Sequence, residues 1–433
     1  MKRFILFLAS LSLLVYGCAN IVQTDDFVRH NDSGTKSYLI SPEEALDNLT
    51  GFLSSLEELQ TRALSLTVDD IIPINSYKDA TRSIGNTTTL YAVNFPDDEG
   101  YALLSADSRV PETVVAFIEH GSVTIEDFEP YSSFEMDSDD DITEEMYNEL
   151  CEAGYVGSQE GTGAIIQLCN RYAQFMIDNG EEFPDNPNPG HWYVSDIVEH
   201  KMTTTWTQSS PFNLHCPYVG LLKREKAPAG CVPIALGQII AYHEYPSISI
   251  SGTVIDYDII KGVQSYSTSS DKWMASSFIK VLSSSFNCNV LYGKVFGYTF
   301  GFALPQNAKR TLENLGYDNV SLDWGYGETK VITSIDNNCP VFISAIAGIM
   351  SGHAWVIDGY IKSKYIDGNG VVTDSKYYVH CNWGWNGQNN GYFVSGVFKT
   401  DRPVFYDDTS LSNSETEDYW YLFNTITYDN PNE

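Results

Sequence analysis

Positive charge is the scarcest thing in this sequence. Only 25 Lys and Arg stand against 57 Asp and Glu in 433 residues, for a net charge of −32. Phosphate contacts need basic groups, so nucleic acid is excluded as a partner for such a surface. Long apolar runs are missing too: Phe4–Val15 is too short to span a bilayer comfortably, and no other stretch is long enough to try. Cysteine is sparse, with eight residues, wide scatter and no CxxC pair. Neither a zinc site nor a disulfide framework is therefore expected, and no cofactor. Internal repeats are absent as well.

What is present begins with an export signal. Lys2 and Arg3 precede the apolar run, and Gly17-Cys18 closes it. A small residue before a closing Cys resembles the lipobox of bacterial lipoproteins, in which Cys18 carries the lipid. Tyr16 departs from the small residue usual there, so plain secretion is the alternative. Either way the protein is exported, and a lipid anchor is its one expected membrane contact. Seven cysteines remain after Cys18; an odd count leaves at least one thiol unpaired, and most are expected to be reduced.

The charge is uneven. Residues 21–200 hold 36 acidic and 7 basic side chains, a net of −29, whereas residues 201–433 hold 21 and 16, a net of −5. Halves that differ this much have different jobs. The acid is densest in Glu126–Glu152, which reads as a solvated segment. Expected boundaries are residues 1–18 for the signal, 19–37 for a flexible tether, 38–190 for a smaller α+β unit and 191–433 for an α+β catalytic domain. The proline-rich stretch Glu181–Gly190 is the expected exposed linker. In the first unit, Ser41 and Glu44 form a capping box ahead of a helix to about Arg62. Strands are expected at Thr88–Asn94, Tyr101–Asp107 and Val114–Glu119, and a helix at Gly163–Ile177. In the second, helices are expected at Lys272–Ser284 and Pro305–Leu315. Its strands are expected at Val341–Ile346, Ala354–Tyr360, Lys376–Asn382, Gly391–Phe398 and Tyr419–Ile426, so that a cysteine-bearing helix packs on a twisted antiparallel sheet.

That helix carries the chemistry. In A-G-C-V-P-I-A-L-G-Q-I-I-A-Y-H, Cys231 opens a helix whose apolar face is Val232, Ala235, Leu236, Ile239 and Ile240. Pro233 is tolerated in a first turn, where its missing N–H has no partner anyway. The helix dipole favours a thiolate at this end. A nucleophilic thiolate needs a base, a group to orient that base, and donors for the developing oxyanion. His353, at a strand mouth in S-G-H-A-W-V-I-D-G-Y, is the candidate base. Asn382, in H-C-N-W-G-W-N-G on an expected neighbouring strand, could orient its imidazole. Gln208 could supply an oxyanion donor beside the Cys231 N–H. His243 lies roughly 18 Å down the helix from Cys231, which excludes contact. His380 shares a sheet face with Asn382 and stays open as a second base. Asp358 faces away from His353 and is discounted as its orienter.

The strings W-T-Q-S-S-P-F-N-L-H-C-P, A-G-C-V-P-I-A-L-G-Q-I-I-A-Y-H-E-Y-P, G-H-A-W-V-I-D-G-Y and H-C-N-W-G-W-N-G-Q-N-N-G-Y-F resemble the streptopain family of bacterial cysteine peptidases. Y-A-V-N-F-P-D-D-E-G-Y-A-L-L-S-A-D-S-R-V-P is similar to that family's propeptide. The resemblance spans most of residues 40–400. It implies a secreted zymogen with a papain-like domain, acting on protein or peptide substrates with an apolar side chain beside the scissile residue. Residues 38–190 would then be an inhibitory prodomain, removed by the enzyme itself or by another protease. It also implies Cys231 as nucleophile, His353 as general base and acid, Gln208 as oxyanion donor and Asn382 as orienter, with Trp383 shielding the last contact. Pro233 departs from the small residue usual after the nucleophile. Two other functions fit the bare residues: a cysteine amidase or acyl transferase on cell-wall peptides, and a non-enzymatic exported binding lipoprotein.

Overall fold

One antiparallel sheet runs through both halves of the chain. The computed structural model describes residues 20–21, 38–60, 67–78, 83–128, 161–179, 191–295, 297–347, 352–399 and 421–433. The export signal with Cys18, nearly all of the tether, most of the acidic run and the expected linker 181–190 lie outside the described residues. The sheet strands are β1 (Asp70–Lys78), β2 (Ser83–Asn94), β3 (Tyr101–Ser105), β4 (Val114–Ile118) and β5 (His191–Val198). After the small hairpin of β6 (Leu291–Val295) and β7 (Tyr298–Phe302) come β8 (Ser321–Trp324), β9 (Val341–Ala347), β10 (Gly352–Ile366), β11 (Val372–Asn382), β12 (Gly391–Val394) and β13 (Tyr421–Thr427). The main sheet runs β1-β2-β3-β4-β12-β11-β10-β9-β13-β8, with β5 on the outer part of β10 and the dipeptide Asn20–Ile21 beside β1.

The join between the halves is β4 against β12, where Ile118, Phe117 and Ala116 pair with Gly391, Tyr392 and Phe393. Beyond the ladder Glu119 N donates to Asn390 O at 2.8 Å and Asn389 N to His120 O at 2.9 Å. Two α+β units were expected; hydrophobic period alone does not say which strand edges meet, and here two edges close on each other.

Seven α-helices lie among the described residues: α1 (Pro42–Gln60), α2 (Thr162–Asn179), α3 (Cys231–His243), α4 (Tyr257–Lys261), α5 (Ser269–Ser283), α6 (Pro305–Asn314) and α7 (Glu328–Asp336). Ser41 caps α1, its Oγ accepting from Glu44 N at 3.2 Å. Strand alternation gives the sheet two cores. Val341, Ile343, Trp355 and Ile357 join a cluster shared with Leu90, Leu103 and Ala116 of the first half. Phe342, Ala354 and Val356 face a second cluster built around α3.

α3 is wrapped more completely than one apolar face requires. Ile234 and Ala241 are buried along with the expected face, as are Pro233, Gly237 and Gln238. A helix apolar on all sides is a central helix; α3 packs on β10 and β9 and is covered by α4, α5 and α6.

Candidate active site

Cys231 is the first residue of α3, and Gly230 is its N-cap with φ +94°. An L side chain is strained at that φ, and a Cβ there would stand 2.9 Å from the Gly301 carbonyl oxygen. The β6–β7 hairpin thus lies directly against the approach to the thiol. Pro233 falls in the first turn, so no helical hydrogen bond is lost. Cys231 is half-buried, whereas Cys169, Cys288, Cys339 and Cys381 are buried. All six described cysteines, Cys216 included, are free thiols. Burial pushes the Cys339 thiol up to about 11 and Cys288 to about 12, and raises Cys169, Cys216 and Cys381 as well. Thiols held protonated in this way are poor nucleophiles.

His353 sits at the mouth of β10, as expected, with its ring among three tryptophans: Trp385 at 4.8 Å, Trp355 at 6.1 Å and Trp383 at 6.2 Å between centroids. Its Nε2 lies 2.8 Å from the Trp383 carbonyl oxygen. A carbonyl only accepts, so Nε2 carries the proton and Nδ1 of the neutral ring keeps the lone pair.

Asn382 does lie on the neighbouring strand, but its amide does not hold the imidazole. Nδ2 donates to Thr204 O at 2.8 Å and Oδ1 accepts from Gly384 N at 3.2 Å. Register explains this. Asn382 pairs with Val356, three residues from His353, so alternation sends the two side chains to opposite faces of the sheet. The next residue, Trp383, faces the histidine and offers its carbonyl instead. Its ring is buried and stacks on Trp355 and Trp385 at 4.6 and 5.4 Å.

The loop after Asn382 ties the parts together. Gly384 has φ +72°, and a Cβ on it would stand 3.1 Å from Ile234 Cγ2, one turn beyond Cys231. Trp385 pairs with Thr207 in an isolated bridge. The next residue, Gln208, accepts at its carbonyl from Ala229 N at 2.7 Å, two residues ahead of Cys231. Short contacts therefore run from His353 through the Trp383–Trp385 loop to Gln208 and to both flanks of Cys231. Trp385 and the Trp383 carbonyl were not expected as site groups. Their signal was the W-G-W spacing, which puts a left-handed Gly between two rings.

The rival histidines belong elsewhere. His243 closes α3 against the Tyr428 hydroxyl at 3.1 Å. His380 Nδ1 is 2.6 Å from Asp358 Oδ1. Asp358 is the extra residue of a bulge, since Ile357 pairs with Cys381 and Gly359 with His380. The bulge aims its carboxylate at His380 and away from the site.

Residues 206–393 match the Peptidase C10 family. Streptopain of Streptococcus pyogenes is 23% identical over 336 residues, covering 68% of this chain and 71% of its own. Over these residues the chain is similar to the streptopain family. It is a cysteine peptidase. The thiol protease/hemagglutinin PrtT of Porphyromonas gingivalis is 28% identical over 248 residues, which is 48% of this chain and 26% of that longer one. A solved fragment of prointerpain A from Prevotella intermedia shares the fold, with a TM-score of 0.51 and 17% identity, over 81% of this chain and 98% of the fragment.

Proposed function

We propose that this peptidase is an exported zymogen, secreted or anchored through Cys18, whose papain-like site cleaves proteins internally once residues 38–190 are removed. The observation that supports the reading best is the imidazole tautomer. With Nε2 donating to the Trp383 carbonyl, Nδ1 is the atom that takes and returns the proton of the Cys231 thiol. The Cys231 thiolate attacks the scissile carbonyl carbon, and the oxyanion collects hydrogen bonds from the Cys231 N–H and the Gln208 amide. The imidazolium of His353 protonates the leaving amine as the C–N bond breaks. Water, deprotonated by the same ring, then hydrolyses the thioester. Thiolate and imidazolium titrate as a coupled pair, so a pH profile reports the pair. Asn382 serves at one remove, fixing the loop that presents the Trp383 carbonyl, and the tryptophan rings keep water from that contact.

The acidic half acts as the intramolecular inhibitor, joined to the peptidase half through β4 and β12, and a cut between about Glu181 and Thr204 begins its removal. The test is incubation of purified full-length chain under reducing conditions with casein and, separately, peptidoglycan. Self-cleavage within that window and casein hydrolysis, both lost in Cys231→Ala and blocked by a thiol-directed irreversible inhibitor, are expected. Processing by the Cys231→Ala chain, or activity on peptidoglycan alone, would overturn the reading.

A further inference from the structure

A second cluster of reactive side chains lies where the halves join, separate from the cysteine site. Glu119 follows β4, His200 follows β5 and His380 is in β11; each offers one ligand atom, all within 4.8 Å of one another. The His380 side chain is 2% exposed and Asp358, on its Nδ1, is fully buried. Asp358 is fixed in turn by Met202 N, which donates to its Oδ2 at 2.8 Å. Among the described residues His380 Nε2 has no hydrogen-bond partner, and Glu119 Oε2 lies 3.6 Å from it. That gap is long for a hydrogen bond. It is close to the roughly 3.3 Å that separates two tetrahedral ligands bound at about 2.0–2.1 Å to one zinc ion. The His200 ring stacks on His380 at 4.4 Å, and its Nδ1 is engaged by Met202 O at 3.3 Å, which leaves Nε2 as the ligating atom. His200 is exposed and outside regular structure, so its ring can turn into the site.

We propose that Glu119, His200 and His380 bind a divalent transition metal, zinc by donor chemistry, and that the ion clamps β4 to β12. Two imidazoles and one carboxylate suit zinc better than calcium or magnesium, which take oxygen ligands. The Asp358–His380 contact is the outer-shell carboxylate that metal-bound histidines ordinarily keep, fixing the tautomer with Nε2 toward the ion. A water completes the tetrahedron. Because Glu119 lies in residues 38–190 and both histidines lie in residues 191–433, bound zinc opposes separation of the two units. Its effect on activation rests on the zymogen reading; the binding itself does not.

The test uses the full-length Cys231→Ala chain, which cannot process itself, and Zn2+ in competition with a chromophoric chelator. One equivalent is expected to bind. Glu119→Gln and His200→Asn should each weaken binding at least tenfold while the far-ultraviolet spectrum stays that of the parent. Zinc should also slow hydrogen exchange of the β4–β12 amides in the parent and not in Glu119→Gln. Absence of saturable binding, affinity unchanged in both variants, or bound zinc without added protection would each overturn the proposal.

Discussion

Replacing Asn382 by Ala separates two accounts of the site. If the amide held the imidazole, its loss would cost turnover and leave the fold intact. The structure gives the amide a different task, bonding Thr204 O and Gly384 N at a position 2% exposed. Alanine leaves a buried carbonyl and a buried N–H without partners, at about 1–3 kcal/mol each. Water entering the vacated space recovers part of this, so a loss of about 3 kcal/mol in unfolding free energy is expected. Turnover falls as well, because the freed loop no longer fixes the Trp383 carbonyl under His353. Stability is read by urea denaturation of the variant on a Cys231→Ala background, and turnover on an otherwise native chain. Asn382→Ala with native stability and turnover down by orders of magnitude would refute the reasoning and restore the amide as direct orienter.

Three further outcomes follow from local geometry. Gly230→Ala forces an L residue to φ +94° with its Cβ 2.9 Å from a carbonyl oxygen, so a loss of about 2 kcal/mol in denaturation and a clear drop in turnover are expected. Native values for both would show that the hairpin yields freely. Gln208→Ala should lower kcat by about 100- to 1,000-fold with little change in KM, the usual effect of one lost oxyanion donor; a change confined to KM would remove Gln208 from that role. Burial lowers His243 from 6.5 to about 4. Above pH 6.5 the ring is neutral whether folded or not and contributes no slope. Between 6.5 and about 4 only the unfolded chain takes the proton, so stability falls by roughly 3 kcal/mol across that window. Denaturation midpoints at pH 5 and 7 should therefore differ less in His243→Gln than in the parent.

Much of the site was legible because its parts are short strings with strong local rules. Gly-Cys with Pro two residues on marks a helix start, and His353 and Asn382 lie in apolar runs that read as strands. Their relative facing was not legible, since it depends on register: a three-residue offset across β10 and β11 turned Asn382 to Thr204. The bulge at Asp358 was equally hidden, and with it the Asp358–His380 pair, because alternation alone sends a strand residue to a fixed face. α7 was missed because Thr329, Val331, Ile332 and Thr333 disfavour a helix intrinsically, and burial of Val331, Ile332 and Ile335 decides in its favour. The histidine–glutamate cluster draws on residues 119, 200 and 380, which no spacing rule connects. An expectation of no metal, founded on the absence of CxxC, could not have weighed it.

The shared sheet bears on how an inhibitory half could leave. Separation after a single cut would strip β12 of its ladder partners on β4 and open the cluster in which Leu103, Ala116, Trp355 and Phe393 pack together. It would also break the ion pair of Lys376 with Glu112 at 2.8 Å, both largely buried, and the Tyr172 hydroxyl contact to the same carboxylate. Against this stands the repulsion among the excess acids of residues 21–200, weakened at physiological salt by a Debye length of about 8 Å. Apolar burial wins that comparison, because it is not screened. A chain cut once should therefore stay together, and activity should require the acidic half to be degraded or unfolded. Placing a specific protease site within residues 181–190 of the Cys231→Ala chain tests this: after cutting, both pieces should co-elute on native gel filtration and separate in denaturant. Pieces that part on the native column would show that the strand junction is too weak to hold, and that one cut suffices for release.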